Sequence, residues 1–243
     1  MAEQEYNGTA MSNDKSKYIA LQLAEIFGKE NLSNLETDIE NAGKLMSCYR
    51  CAILEVETKF KVLNEQFSGA HENNPIENIK SRVKSARSIR EKLMRKHLPL
   101  TLKSMEDNLY DIAGVRVICS FVDDIYMLAN CFANQDDIRV IAIKDYIKKP
   151  KENGYRSLHL IVEVPIFLQN EKKLMKVEVQ LRTIAMEFWA NLEHKLRYKK
   201  DLSQDLLDCI SSDLYECAEL SAVLDSKMQA IRESLETKCQ KKE

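Results

Sequence analysis

The 243-residue sequence predicts an α/β (α+β) fold, with a mixed helix-and-strand centre between long terminal helices. Three patterns carry that reading. Met46, Tyr49, Ile53, Val56, Phe60, Leu63 and Phe67 recur at alternating spacings of three and four, one apolar stripe on a long helix. Four short runs rich in β-branched residues fill the centre. A second stripe at helical spacing, through Leu207, Ile210, Leu214, Cys217, Leu224, Met228, Ile231 and Leu235, occupies the C-terminal end.

Taken in order, residues 1–15 are polar and aperiodic and predict a disordered arm. A helical pattern then runs from about 16 to 69 and stops at SGAHENNPI, where Gly69 and Pro75 break it. Residues 76–97 are strongly basic, with a helix over Arg87–Lys96 whose buried side is marked by Ile89 and Leu93. DIAGVRVICSFV (111–122) reads as a buried strand and DDIYMLANCFANQ as a short helix. Three more strands follow at 138–147, 155–168 and 174–183, the last two joined by the polar QNEKK turn as a hairpin. AMEFWANLEHKLRYKK returns to helix, and the tail from about 203 to 238 is helical.

Charged residues make up 30% of the chain yet nearly cancel, leaving a formal net charge of −2, which argues against a uniformly basic nucleic-acid binder. Positive charge is local instead. The seven cysteines are irregularly spaced, and no uncharged apolar run approaches the roughly 20 residues needed to cross a bilayer. A reducing, cytoplasmic setting without membrane contact is expected. The Cys48-x-x-Cys51 pair lies in a helical pattern without a second pair at ligand spacing, and reads as packing rather than zinc.

The first basic cluster, IKSRVKSARSIREKLMRKH (79–97), sets eight cations against the single acid Glu91. Ser88, Lys92 and Arg95 fall at spacings of four and three on one helix side. Arginine offers a flat fork to phosphate oxygens and lysine a mobile point charge, so the surface suits polyphosphate. A solvated helix face or a nonspecific RNA patch would carry the same charges. Two acids stand nearby in the pattern: Asp111 before Ile112-Ala113-Gly114, and Glu178 inside VEVQLRT, where alternation puts Lys176, Glu178 and Gln180 on one face. Together they could hold Mg²⁺, which binds through one or two carboxylates plus substrate phosphates. Taken singly, each reads as an ordinary strand-end or salt-bridged acid; the two basic clusters shift the balance toward a shared site.

The second basic cluster, KKPKENGYRSLHL (148–160), leads through a loop bounded by Pro150 and Gly154 into a strand. Tyr155, Ser157 and His159 share one face there, with Tyr155 outermost. An aromatic ring beside Lys and Arg is a base platform with phosphate clamps, stacking contributing about 1–3 kcal/mol per base. The residues alone therefore predict a nucleotide-binding α/β enzyme that moves phosphate with a metal.

Read together, RVKSARSIREKL, DIAGVRVICSFVDD, KENGYRSLH and VEVQLRTIAMEFWANLEHKLRYK resemble the synthetase domain of the RelA/SpoT family over roughly residues 75–200. The resemblance is strongest to its single-domain small alarmone synthetases of the RelQ type. It implies a nucleotidyltransferase-like mixed β-sheet flanked by helices. It implies transfer of the β,γ-pyrophosphate of ATP to the 3′-hydroxyl of GDP or GTP, or of GMP, giving (p)ppGpp and AMP in the stringent response. Arg82 and Arg116 resemble the arginines around ATP, and Lys84, Ser88, Lys92 and Arg95 the set that binds its phosphates. Asp111 matches the Mg²⁺-binding aspartate, and Glu178 the glutamate that activates the acceptor hydroxyl and helps with the metal. Tyr155 resembles the tyrosine that stacks on guanine, with Lys144, Lys151, Asn153 and His159 around the guanosine nucleotide. Arg156, Gln180 and Glu193 also fall in family motifs. The stretch SRVKS departs from the GRVKP of close relatives.

On this resemblance the synthetase domain spans 16–200, with a helical oligomerisation segment at 201–243, and no hydrolase activity is expected. Such relatives form homotetramers through terminal helices; from the residues alone, the two stripes could equally pack within one chain. Allosteric binding of (p)ppGpp and inhibition by single-stranded RNA are further implications. Two other functions compete: pyrophosphorylation of an adenine nucleotide or a tRNA 3′ end, and an RNA-binding regulator without catalysis. Tyr155 argues against the first, and the pairing of Asp111 with Glu178 against the second.

Overall fold

A computed structural model describes residues 35–70, 74–197 and 204–240; the expected arm at 1–15 and the start of the first helical pattern lie outside the described residues. In chain order the elements are α1 (Leu35–Ala70), β1 (Ile76–Val83), α2 (Ala86–Arg95), α3 (Leu102–Asn108), β2 (Ala113–Cys119), α4 (Val122–Ala133), β3 (Arg139–Asp145), β4 (Leu158–Phe167), β5 (Lys172–Thr183), α5 (Ile184–Arg197) and α6 (Gln204–Gln240). The strands form one sheet in the order β1-β2-β5-β4-β3.

The connection through α4 carries the chain from β2 to the far edge of the sheet. From there β3, β4 and β5 return strand by strand, and β5 enters beside β2 as the central strand. β1 and β2 are antiparallel: Lys84 N–H donates to the Ile112 carbonyl at one end (2.8 Å) and Ser120 N–H to Pro75 at the other (3.3 Å). The expected β4–β5 hairpin is closed by Leu168 N–H donating to Glu171 (2.8 Å). Contacts rise together along β2 and β5, since Lys176 reaches the carbonyls of Glu106 and Asp107 ahead of β2 while Gln180 meets Arg116 within it. These two strands are therefore parallel and the sheet is mixed. The predicted alternation of β5 is present: Met175, Val177, Val179 and Leu181 are buried, while Lys176, Glu178 and Gln180 stay partly exposed.

The chain forms two compact units that interleave along the sequence. The first combines α1 up to Val56 with Ser81–Gly114 and Glu163–Glu178. Its core includes Tyr49, Ile89, Leu93, Met105, Leu109 and Ile112, all buried. The second combines Glu57–Lys80, Val115–Val162 and the chain from Val179 onward. There Phe60 stacks on Phe132 with ring centroids 4.6 Å apart. Trp189, Leu214 and Ala218 form a separate cluster against which Tyr155 packs.

Three expectations are corrected. The sheet has a fifth strand, β1, where only a basic segment was expected; it is an edge strand with mostly exposed residues, so no apolar alternation betrays it. The helix α3 was also not foreseen, being a short, largely polar turn capped by Thr101, whose side chain accepts from Ser104 N–H (3.1 Å). The strand expected from 155 begins at Leu158, because Gly154 adopts a positive φ of 83° and Asn153 accepts the Tyr155 N–H (3.2 Å), holding a turn. For the apolar stripe of α6, which left packing within the chain and assembly both open, Leu224, Met228, Ile231 and Leu235 are exposed. The inner face instead runs through Leu214, Ala218 and Asp225 to Arg232, which pairs with Asp124 of α4 (2.7 Å).

Cys48 and Cys51 are free thiols on α1, and among the described residues no group of three or more metal-ligating side chains occurs. No described helix is long and apolar enough to cross a membrane.

Candidate active site

In the first unit, a strand–turn–helix places the basic cluster. Ser85 caps α2, its hydroxyl accepting from Ser88 N–H (3.3 Å). The two hydroxyls also lie 2.9 Å apart. The turn brings Lys84, just past β1, and Lys92, on the third turn of α2, to one oxygen of Asp111: their ammonium groups donate to Oδ2 at 2.8 and 2.6 Å. Burial pushes the Asp111 carboxyl up, but the hydrogen bonds and charges of Lys84 and Lys92 outweigh it and hold it below the usual carboxylate range. The other oxygen, Oδ1, is buried and has no hydrogen-bond partner. A buried anionic oxygen without a donor could coordinate a hard divalent ion. Arg82 and Arg95 are exposed. Glu178 is half-buried on β5, on the polar face with Lys176 and Gln180.

In the second unit, Tyr155, His159, Lys151 and Tyr146 converge. The Tyr155 hydroxyl lies 2.8 Å from His159 Nε2, and the Lys151 ammonium is 4.8 Å from the centroids of both the Tyr146 and Tyr155 rings. The loop is stitched by Lys151 N–H to the Tyr155 carbonyl (3.2 Å), Gly154 N–H to Lys151 (2.8 Å) and the Asn153 amide to Glu193 (3.2 Å). Lys144 is exposed on β3, at the edge of the sheet, and is not part of this convergence.

Arg116 belongs to a buried ionic hub that sequence reasoning missed. Glu187, in the first turn of α5, is 5% exposed and accepts from Lys80 (3.1 Å), Arg116 (3.0 Å), Arg182 (2.9 Å) and Asn191 (3.0 Å). Burial raises its carboxyl, yet the Asn191 hydrogen bond, Arg116, Lys80 and Arg182 together hold it below the usual range. Arg182 is 4% exposed and also donates to Gln180 (3.1 Å) and to the Tyr155 hydroxyl. One signal was available: alternation carried two residues past Gln180 puts Arg182 on the same face. Nothing in sequence spacing marked Glu187 as its partner.

The lysine pair gathered on Asp111 has the chemistry that suits phosphate oxygens. The chain belongs to the RelA/SpoT family: residues 81–203 match the family model described as the region found in RelA / SpoT proteins. The chain is 45% identical to the GTP pyrophosphokinase YwaC of Bacillus subtilis over 206 residues, covering 85% of this chain and 97% of that protein. It is 38% identical to the GTP pyrophosphokinase YjbM of the same organism over 185 residues, 76% of this chain and 85% of that one. The fold matches the crystal structure of small alarmone synthetase 1 of Bacillus subtilis bound to its product pppGpp, with a TM-score of 0.73 at 36% identity over 81% of this chain and 99% of that chain.

Proposed function

We propose that this protein is a GTP pyrophosphokinase that transfers the β,γ-pyrophosphate of ATP to the 3′-hydroxyl of GDP or GTP, making ppGpp or pppGpp and AMP. The observation that carries the reading is Asp111, clamped on one oxygen by Lys84 and Lys92 while its other oxygen is buried without a partner. Similarity to two GTP pyrophosphokinases and to a synthetase structure holding pppGpp supports it.

Lys84, Ser88 and Lys92, with the exposed Arg95, bind the ATP polyphosphate in the first unit, and the exposed Arg82 serves the adenine side. Asp111 and Glu178 are the candidate Mg²⁺ ligands. When bound, the ion supplies neutralisation of phosphate charge. Tyr155 stacks on guanine in the second unit, with Lys151, Asn153 and His159 as its polar surround, while Lys144 stands outside it on the edge strand. In the reaction a bond forms between the 3′-oxygen and the β-phosphorus, and the bond from that phosphorus to the oxygen of AMP breaks. The hydroxyl proton passes to Glu178 as general base. Lys84 and Lys92 stabilise the charge that spreads over the transferred group.

The exposed apolar side of α6, through Leu224, Met228, Ile231 and Leu235, suits the homotetramer that the RelQ-type resemblance implies. A cytoplasmic setting suits the free cysteines found among the described residues.

The test is a panel: labelled ATP and Mg²⁺ offered with GDP, GTP, GMP, an adenine nucleotide or tRNA, and the products separated on thin layers. Label on a guanosine nucleotide is expected. Label only on an adenine nucleotide or on tRNA, or on nothing, overturns the reading.

A further inference from the structure

Tyr155 is a half-buried ring at the end of a loop that lacks regular secondary structure up to Leu158. A stacking platform must be held in one orientation before the base arrives, since each rotamer frozen on binding weakens affinity. The loop's own bonds fix its backbone and leave the ring to be held by what surrounds it.

Arg182 meets that need. It projects from the end of β5, the central strand of the sheet, and is almost wholly buried. Every branch of its guanidinium is engaged: Nε donates to the Ser157 hydroxyl (3.4 Å), one terminal nitrogen to Glu187 (2.9 Å), and the other to Gln180 (3.1 Å) and the Tyr155 hydroxyl. Its guanidinium carbon lies 5.0 Å from the Tyr155 ring centroid. Arginine is a donor only, so the phenol oxygen accepts from it, and the same hydroxyl meets His159 Nε2 at 2.8 Å. Glu187 keeps the arginine in place as its counter-ion. A buried fork of fixed geometry is thus tied to the one ring the acceptor must use.

We propose that Arg182 is a positioning residue for the acceptor nucleotide, acting through the Tyr155 hydroxyl to hold the ring and His159 in the orientation that receives guanine. This rests on the functional reading above. It makes the acceptor platform an extension of the rigid sheet rather than of the loop. Besides Arg182, Glu187 has Lys80, Arg116 and Asn191 as partners, which remain available to it when Arg182 is altered.

The experiment compares the wild-type protein with Arg182→Lys, Tyr155→Phe and the double variant. Equilibrium binding of GDP and of a non-hydrolysable ATP analogue is measured for each, together with melting. Lysine keeps the charge but cannot reach Glu187, Gln180 and Tyr155 at once, and phenylalanine keeps the ring but loses the hydroxyl. Each single variant is expected to weaken GDP binding by roughly tenfold or more, the loss of a charge-assisted hydrogen bond, with the ATP analogue within about threefold of wild type. The double variant should bind GDP within about threefold of the weaker single, because both changes break one link. Losses that multiply in the double variant, or single variants that bind GDP normally, overturn the proposal. So does Arg182→Lys weakening both nucleotides equally. If Arg182→Lys does not fold, Tyr155→Phe decides alone: weakened GDP with normal ATP-analogue binding supports it, and normal GDP binding overturns it. A wild-type protein that binds and uses no guanosine nucleotide instead defeats the functional reading, and this inference with it.

Discussion

Gly154 is the position where one methyl group tests the acceptor loop most severely. Its φ is +83°, a conformation that costs a non-glycine residue about 1–2 kcal/mol. A Cβ there would also lie 2.5 Å from the Cβ of Ala218 on α6, with Tyr215 Cδ2 at 3.5 Å. Neither Cβ can rotate away, so backbone must move, and overpacking of this kind costs about 1–3 kcal/mol. Gly154→Ala should therefore destabilise the protein by about 2–5 kcal/mol, a drop of roughly 4–20 °C in melting temperature for a chain of this size. Relief by lifting the loop off α6 would trade part of that loss for displacement of Tyr155, the next residue, and the KM for the guanosine acceptor would rise. Melting and acceptor kinetics are the assays. Adding Ala218→Gly should recover the packing share but not the share due to φ. A Gly154→Ala protein with unchanged melting and unchanged acceptor KM would refute the reasoning.

Asp111→Asn should lower transfer by about 10²-fold or more while the fold persists, as expected when a carboxylate that organises transition-state charge is lost. Its folded pKa is depressed, so its stabilising contribution is full above the ordinary aspartate value of about 4 and fades as pH falls through the lower folded value. The melting gap between wild type and Asp111→Asn should accordingly close on acidification, and a gap that widens contradicts the lysine clamp. Glu178→Gln should reduce kcat by about 10²–10⁴ while nucleotide binding survives, and a fully active variant removes Glu178 from the role of base. Sedimentation should show an assembly at micromolar protein that shrinks when Leu224 and Ile231 are both changed to serine; a monomeric wild type rules out the tetramer.

Much of the fold was legible because the central strands bury apolar faces at a period of two and the long helices at three and four. β5 is the clearest instance: VEVQL predicts which residues point to the polar side, and Glu178 and Gln180 do. β1 was hidden because an edge strand exposes most of its side chains, and IENIKSRV therefore carries charge instead of alternation. The local basic clusters were visible in composition, and the structure does bring Lys84 and Lys92 onto Asp111. Sequence could not show that both lysines share one oxygen and leave the other without a donor, since that depends on where the turn before α2 points. The Arg182–Glu187 pair was equally hidden. Only burial makes an arginine and a glutamate obligatory partners, and burial of Glu187 follows from the packing of α5 rather than from its neighbours in the chain. The α6 stripe left open whether it packs within the chain; the intrachain seam is partly polar, running through Asp225 and Arg232, and leaves Leu224, Met228, Ile231 and Leu235 exposed.

Pyrophosphate transfer is tested most directly by product stoichiometry. Purified protein, ATP, GTP and Mg²⁺ are incubated, and all nucleotides are resolved by anion exchange and mass spectrometry. One AMP should appear for every guanosine nucleotide carrying a new 3′-diphosphate, with no ADP formed. ADP in place of AMP, or AMP without a matching 3′-modified guanosine, would contradict it.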